Sequence, residues 1–325
     1  MSVEQPTSES SRIESLDVFR GFALLGILLL NIIGFGLLSP SYSNPAFDLS
    51  QAGNSSIITW ATIELFAEGA MRCLFSILFG AGVVLFTTGV GARSGWTHYR
   101  RTFWLLMFGL FDAFILLWTG DILVTYALAG ALLYLAREQS VRALITAASI
   151  MVLLMSLLHL AMGFGLNLSH DAYQKVIAAE ADGSLLQVSQ EQRELALGWE
   201  DFVSDFELGP EQVDAEFKAR TESYSSAFQW TLKKNIEAYQ FVLPVFLFWD
   251  ALAMMLLGMA LYKSGVLHAE KSKNFYLKLA LIGFATGLLI NGFEVHRAYS
   301  SDFSILTTFA QMQPTYHLGR LGMAL

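Results

Sequence analysis

Charge is what this chain has least of. Charged residues fill 15% of 325 positions, against about 25% in an ordinary soluble domain. Most of the chain therefore has no water-facing surface to dress. Cysteine is scarcer still: Cys73 stands alone in an apolar run, which excludes an intrachain disulfide and fits a small buried hydrophobe. There is no HExxH, no CxxC, no phosphate loop and no GxGxxG at a strand-to-helix turn. The histidines (His98, His159, His170, His268, His296, His317) show no ligand spacing. No metal centre and no tightly bound cofactor is expected. Met1 to Glu14 is polar and lacks a basic cluster, so a cleaved signal peptide is not expected either.

Apolar residues, at 54%, are what the chain has instead. About 20 of them in a row cross a bilayer core as a helix, and only a helix or a closed barrel satisfies its backbone there. The predicted fold is all-α, a polytopic transmembrane helix bundle of seven to eight spans. They are Asp17 to Leu38, a stretch within Ile57 to Phe86, Thr102 to Trp118, Ile122 to Ala136, Ala143 to Leu168, Phe241 to Tyr262 and Tyr276 to Gly292, with an eighth running from Phe303 to Leu325. This divides the chain into an N-terminal five-span bundle (1–165), an acidic helical loop (166–238) and C-terminal spans (239–325).

Lys and Arg set the expected orientation, since short cytoplasmic loops hold the excess of positive charge. With the N-terminus inside, Arg12, Arg20, Arg93, Arg100, Arg101, Arg137, Arg142, Lys263, Lys271, Lys273 and Lys278 all fall inside. Ser39 to Ser55 and Thr119 to Asp121 have no basic residue; Arg297 alone departs from the pattern. The expected location is a bacterial cytoplasmic membrane. Asp171 to Glu237 then lies outside and carries 14 acidic and 6 basic residues. That acidity argues against nucleic acid or anionic headgroups as its ligand. Gly209-Pro210-Glu211 reads as a helix start, because proline fits the first turn and acids favour the positive end of the dipole. Glu191 to Trp199 also reads as helical.

Polar residues inside spans are costly and normally face protein or a water-filled cavity. Asp17 stands three before Arg20 and can pair with it. Asn31 follows Arg20 by eleven residues, so both share a face about 16 Å apart along the axis. Arg20, Asn31 and Asp112 are expected to face the bundle interior, with Leu28 and Leu30 turned away. Glu64, Glu68, Arg72 and Ser76 recur every four residues, which places them on one helical stripe with Glu68 and Arg72 as a favourable ion pair. Asp112 and Asp250 lie mid-span, and His159 is expected to be packed and hydrogen-bonded. Gly283-Phe284-Ala285-Thr286-Gly287 allows close helix packing, and Asp121 after Gly120 reads as an N-cap.

The stretch from Arg12 to Ile27, centred on Leu16-Asp17-Val18-Phe19-Arg20-Gly21, resembles the opening of the YeiB-like bacterial membrane proteins. So do Asn44-Pro45, the run from Phe66 to Gly82, Phe108-Gly109-Leu110, Gly120-Asp121-Ile122-Leu123 and the run from Leu257 to Gly265. That family is similar to transmembrane acyltransferases such as heparan-α-glucosaminide N-acetyltransferase and acyltransferase family 3. The resemblance implies O- or N-acetyl transfer, with acyl-CoA as a cytoplasmic co-substrate and a sugar-like acceptor outside. It implies that Asp17 and Arg20 hold the donor, that Asn31 and Asp112 orient acceptor or thioester, and that Glu68 and Arg72 shape the acceptor side. The chain departs from these families in three places. Asn31 stands where acyltransferase family 3 has histidine, and Asn is no general base. Asp112 stands where many YeiB-like sequences have histidine. The family also continues with further spans beyond Gly319-Arg320, so C-terminal spans are expected to be missing. A transporter is the alternative, with Asp112 and Asp250 as substrate or proton sites. The lack of an evident broken-helix pair weighs against it. A structural membrane protein is the third reading.

Overall fold

In a computed structural model the described residues are 14–42, 44, 45, 47, 54–88, 94–204 and 206–325. Arg12 and Arg93, which entered the charge pattern, and the first two residues of the opening motif lie outside them. Among the described residues every regular element is helical. The order is α1 (Glu14–Gly36), α2 (Asn54–Phe66), α3 (Ala70–Thr87), α4 (Gly95–Phe114), α5 (Leu123–Ala136), α6 (Val141–Asp182), α7 (Gln190–Ser204), α8 (Pro210–Thr221), α9 (Tyr224–Glu237), α10 (Phe248–Lys263), α11 (Lys273–Ser300) and α12 (Gln313–Ala324). A π-helical stretch, Ala238–Leu247, joins α9 to α10 around Pro244, whose missing N–H breaks the ordinary helical ladder. A second, Thr307–Met312, leads into α12.

Five helical stretches are long and apolar enough to cross a membrane: Leu16–Gly36, Ser55–Thr87, Val141–Asp182, Tyr224–Lys263 and Lys273–Ser300. The chain is a multi-pass membrane protein on this evidence. Its outward faces are dressed for lipid: Leu25 is 69% exposed and Leu289 75%. The expected count of seven to eight spans is not reached by these five. Helix α5 has 14 residues, about 21 Å of rise, against a hydrocarbon core of about 30 Å. Helix α4 carries Arg100, Arg101 and Asp112, and α12 has only 12 residues.

Helix α10 lies at the centre, against α3, α5 and α6. It meets α3 almost backbone to backbone, because Gly80 and Gly258 have no side chain. A Cβ at either would run into the carbonyl of Met255 or Ile77 on the facing helix. Cys73 is buried in this seam with its Sγ 3.3 Å from Met254 Sδ, a packing role. Gly283 and Gly287 of α11 pack on Gly322 of α12 in the same manner. His159 is packed as expected, its Nδ1 2.8 Å from the Met155 carbonyl and its ring stacked on Phe246.

The second long stretch is not one helix. Helix α2 stops at Phe66 and α3 starts at Ala70, with Gly69 between them at φ 63°. That backbone region favours glycine, and a Cβ there would also meet the Tyr316 hydroxyl. Asn291 of α11 donates to the freed Leu65 carbonyl at 3.1 Å. The continuous stripe Glu64, Glu68, Arg72, Ser76 is thereby corrected: Glu68 sits in the break. A broken helix is present after all.

The acidic segment is helical. Helix α6 runs unbroken from the apolar region to Asp182 and ends at Gly183, φ 76°, while α7, α8 and α9 follow. Pro210 occupies the first turn of α8.

Candidate functional site

The break between α2 and α3 turns Glu68 toward two other elements. The turn Ser39–Tyr42 after α1 brings Tyr42, whose hydroxyl donates to Glu68 Oε2 at 3.1 Å. Helix α12 brings Tyr316, whose hydroxyl donates to Glu68 Oε1 at 3.0 Å. The same Tyr316 oxygen accepts from Arg72 Nη2 at 2.9 Å. The expected Glu68–Arg72 ion pair is thus bridged by a phenol. Arg72 Nε is buried without a partner, so the guanidinium retains a donor that no protein oxygen satisfies. The Glu68 charge beside Tyr42 pushes its phenol well above the usual tyrosine range, which keeps it a donor.

Glu68 and Arg72 line a cavity of about 580 Å³, with Asn31, Phe35, Tyr42, Trp118, Asp121, Arg220 and Trp230. Helix α8 closes one side of it. Arg220 donates to the Leu37 carbonyl at 2.5 Å and to the Gly34 carbonyl at 2.8 Å, one just past the end of α1 and one in its last turn, where carbonyls lack intrahelical partners. It also pairs with Glu216 at 3.2 Å. Glu216 in turn accepts from the Ser39 amide and hydroxyl at 2.9 and 2.8 Å. The acidic segment is therefore latched onto the mouth of α1. Asp121 accepts from the Leu123 and Val124 amides, each at 3.0 Å, which holds the start of α5. Burial pushes its carboxyl up.

Of the expected site residues, Asn31, Glu68 and Arg72 meet in this cavity and the others do not. Asp112 lies on α4 and does not line it; its main-chain oxygen accepts from Trp118 N at 3.1 Å, behind the wall that carries Asp121. Arg20 and Asp17 pair at 3.1 Å near the far end of α1, half exposed. Between them and the cavity the α1–α3 seam is apolar: Ala23 and Leu30 are buried, and Met71 packs over Gly26. Leu28 faces outward as expected. Leu30 does not: it lines the cavity beside Asn31.

Asp250 is no isolated carboxylate. Arg320 of α12, 1% exposed, binds it through both terminal nitrogens, Nη1 at 2.9 Å from Oδ2 and Nη2 on Oδ1. Arg320 Nη2 also lies 2.6 Å from His317 Nδ1. A guanidinium only donates, so Nδ1 accepts and the neutral ring carries its proton on Nε2. The Arg320 guanidinium stacks over Tyr316, 4.7 Å from the ring centre, which connects this buried pair to the cavity wall. Sequence reasoning missed Tyr42, Tyr316, Arg320 and Arg220. A mid-span aspartate needs a cation, and that requirement was the available signal for Arg320. Among the described residues no group of three or more His, Cys, Asp or Glu is placed to hold a metal ion.

No family model matches the chain. No solved structure matches it. Bacterial proteins do resemble it. It is 36% identical over 170 residues to the uncharacterized protein YxaH of Bacillus subtilis (strain 168), covering 48% of this chain and 40% of that one. It is 40% identical over 116 residues to the uncharacterized protein YeiB of Escherichia coli (strain K12), covering 36% of this chain and 29% of that one. An uncharacterized 39.9 kDa protein in the amylase 3′ region of Bacillus acidopullulyticus is 34% identical over 131 residues, covering 35% of its length. The chain thus spans well under half the length of the curated relatives it matches. The likeness to YeiB extends over 36% of this chain. None of the names speaks of acyl transfer.

Proposed function

We propose that the chain is part of a bacterial inner-membrane acyltransferase, and that the cavity beside Glu68 receives its acceptor. One observation carries this reading: a carboxylate and a guanidinium, both on the wall of one cavity, are joined behind it by Tyr316. Acyl transfer needs both groups. The acceptor hydroxyl or amine gives its proton to a base, here Glu68, as its oxygen or nitrogen bonds to the thioester carbon. The negative charge that develops on the carbonyl oxygen needs a fixed donor, here Arg72. The C–S bond then breaks, and the departing thiolate takes the proton that Glu68 received, which restores the carboxylate. Trp118, Trp230 and Tyr42 give the cavity the aromatic faces that suit a sugar-like acceptor, and Asn31 orients it. Glu68 replaces Asp112 as the base in this scheme. Arg20 with Asp17 remains the donor contact at the cytoplasmic end, and the α1–α3 seam must open at Ala23 and Gly26 for the acyl group to pass. The reading takes the N-terminus as cytoplasmic, Asp171 to Glu237 as extracytoplasmic, and α4, α5 and α12 as completing seven to eight spans.

One observation favours transport instead: the α2–α3 break stands at the cavity, as broken helices do at the substrate sites of many transporters. Acetyl-CoA binding to the purified full chain, run beside proton-coupled solute uptake in vesicles, separates the two. The expected result is acetyl-CoA binding that weakens in Arg20→Ala, because directed guanidinium contacts to phosphate have no apolar substitute. Uptake that fails in Glu68→Gln, with no acetyl-CoA binding, would replace the enzyme by a transporter.

A further inference from the structure

Helix α3 has a second cavity at its other end. Arg72 borders the first and Thr88 the second, and Thr88 lies sixteen residues on, a rise of about 24 Å. The second cavity, about 390 Å³, opens where α3, α5 and α10 all finish, and is walled by Arg137, Lys263, His268, Glu138 and Glu270. Thr87 and Lys263 also end two of the apolar stretches, which puts this cavity at the depth of lipid headgroups.

Its lining carries both signs of charge. Arg137 is fixed in place: it donates to the Tyr134 carbonyl at 2.8 Å, lies 3.9 Å from the centre of the Tyr134 ring, and pairs with Glu138 at 2.7 Å. Five donors are available to a guanidinium, so some remain. Lys263 donates to the Gln139 carbonyl at 2.7 Å and has two further protons. His268 packs on Tyr262, ring centres 4.2 Å apart, and its Nδ1 is buried with no partner. A buried polar nitrogen without a partner costs free energy until a hydrogen-bond partner arrives; in the tautomer with the proton on Nδ1, that partner is an acceptor. Of the two carboxylates, Glu270 closes over Gly265, and Glu138, held by Arg137, is 76% exposed.

We propose that this cavity binds a phosphoethanolamine group, with the phosphate on Arg137, Lys263 and His268 and the primary ammonium on Glu270 and Glu138. The two carboxylates disfavour a headgroup that carries only negative charge. A trimethylated ammonium has no N–H to give them. The site is separate from the acyl-transfer reading and stands without it. A phospholipid headgroup and a soluble phosphate ester are its two sources.

The test uses the full chain in phosphatidylcholine nanodiscs doped with a minor share of phosphatidylethanolamine or phosphatidylglycerol, followed by mild delipidation and native mass spectrometry of the lipid retained. Phosphatidylethanolamine should be retained over both other lipids. Retention should fall about tenfold in the Arg137→Ala, Lys263→Ala double variant, as for lost charge-assisted hydrogen bonds. Glu270→Gln should shift the preference toward phosphatidylglycerol, and this arm decides if the double variant does not fold. Displacement by soluble phosphoethanolamine would assign the site to a free ester, and no displacement to lipid. Equal retention of the ethanolamine and glycerol lipids by the unaltered chain, or unchanged preference in Glu270→Gln, would overturn the proposal: the cations then only close helix ends.

Discussion

Two arginine–aspartate pairs divide this molecule. Asp17 and Arg20 stand three residues apart on α1 with side chains 44% and 34% exposed, joined by one 3.1 Å contact. Asp250 and Arg320 stand seventy residues apart on α10 and α12, joined by two, with the guanidinium 1% exposed. The first pair is screened and replaceable. The second removes two charges from solvent and leaves each dependent on the other. A pair of the first kind stays open to solvent. A pair of the second kind holds α12, and with it Tyr316, against the cavity wall.

The comparison can be broken in three places. The largest expected effect is Asp250→Asn, which strands a buried guanidinium and should destabilise the fold by about 3–5 kcal/mol. Unfolding midpoints in detergent check this, and a midpoint near that of the unaltered chain would make the buried pair no different from the exposed one. Arg220→Ala is intermediate. It frees the Gly34 and Leu37 carbonyls and the Glu216 carboxylate at a cost of about 1–3 kcal/mol. The loss should be local, read as faster amide exchange in α8 and α9 with α3 and α10 unchanged. Arg20→Ala should be smallest, under about 1 kcal/mol in stability, even while it weakens acetyl-CoA binding.

The exposed pair was legible because its partners share a helical turn. The long apolar helices α1, α6 and α11, the Gly283 and Gly287 contact, the Cys73 burial and the Pro210 helix start were legible for the same reason: each is a local pattern with a local cause. The buried pair was not, since nothing near Asp250 in sequence names Arg320. The break at Gly69 was half legible. A lone glycine is tolerated within a helix, and what makes this one stop the helix is Tyr316 arriving from α12. The period of four then misled, because Glu64, Glu68, Arg72 and Ser76 fit a stripe only if the helix continues. Asp112 drew attention as a mid-span carboxylate, whereas the cavity is bordered by Asp121, nine residues on. Arg220 was one of a few cations in an acidic segment, and its role depends on where α1 ends.

In the proposed reaction Glu68, on the cavity wall, works on the acceptor while Asp250, behind it, only supports that wall. Acetyl transfer from labelled acetyl-CoA by purified Glu68→Gln, measured beside its unfolding midpoint, tests this most directly. The expected rate is about a hundredfold or more below that of the unaltered chain, the scale of a lost general base, with acetyl-CoA binding and the midpoint little changed. Transfer at the unaltered rate in Glu68→Gln would contradict it.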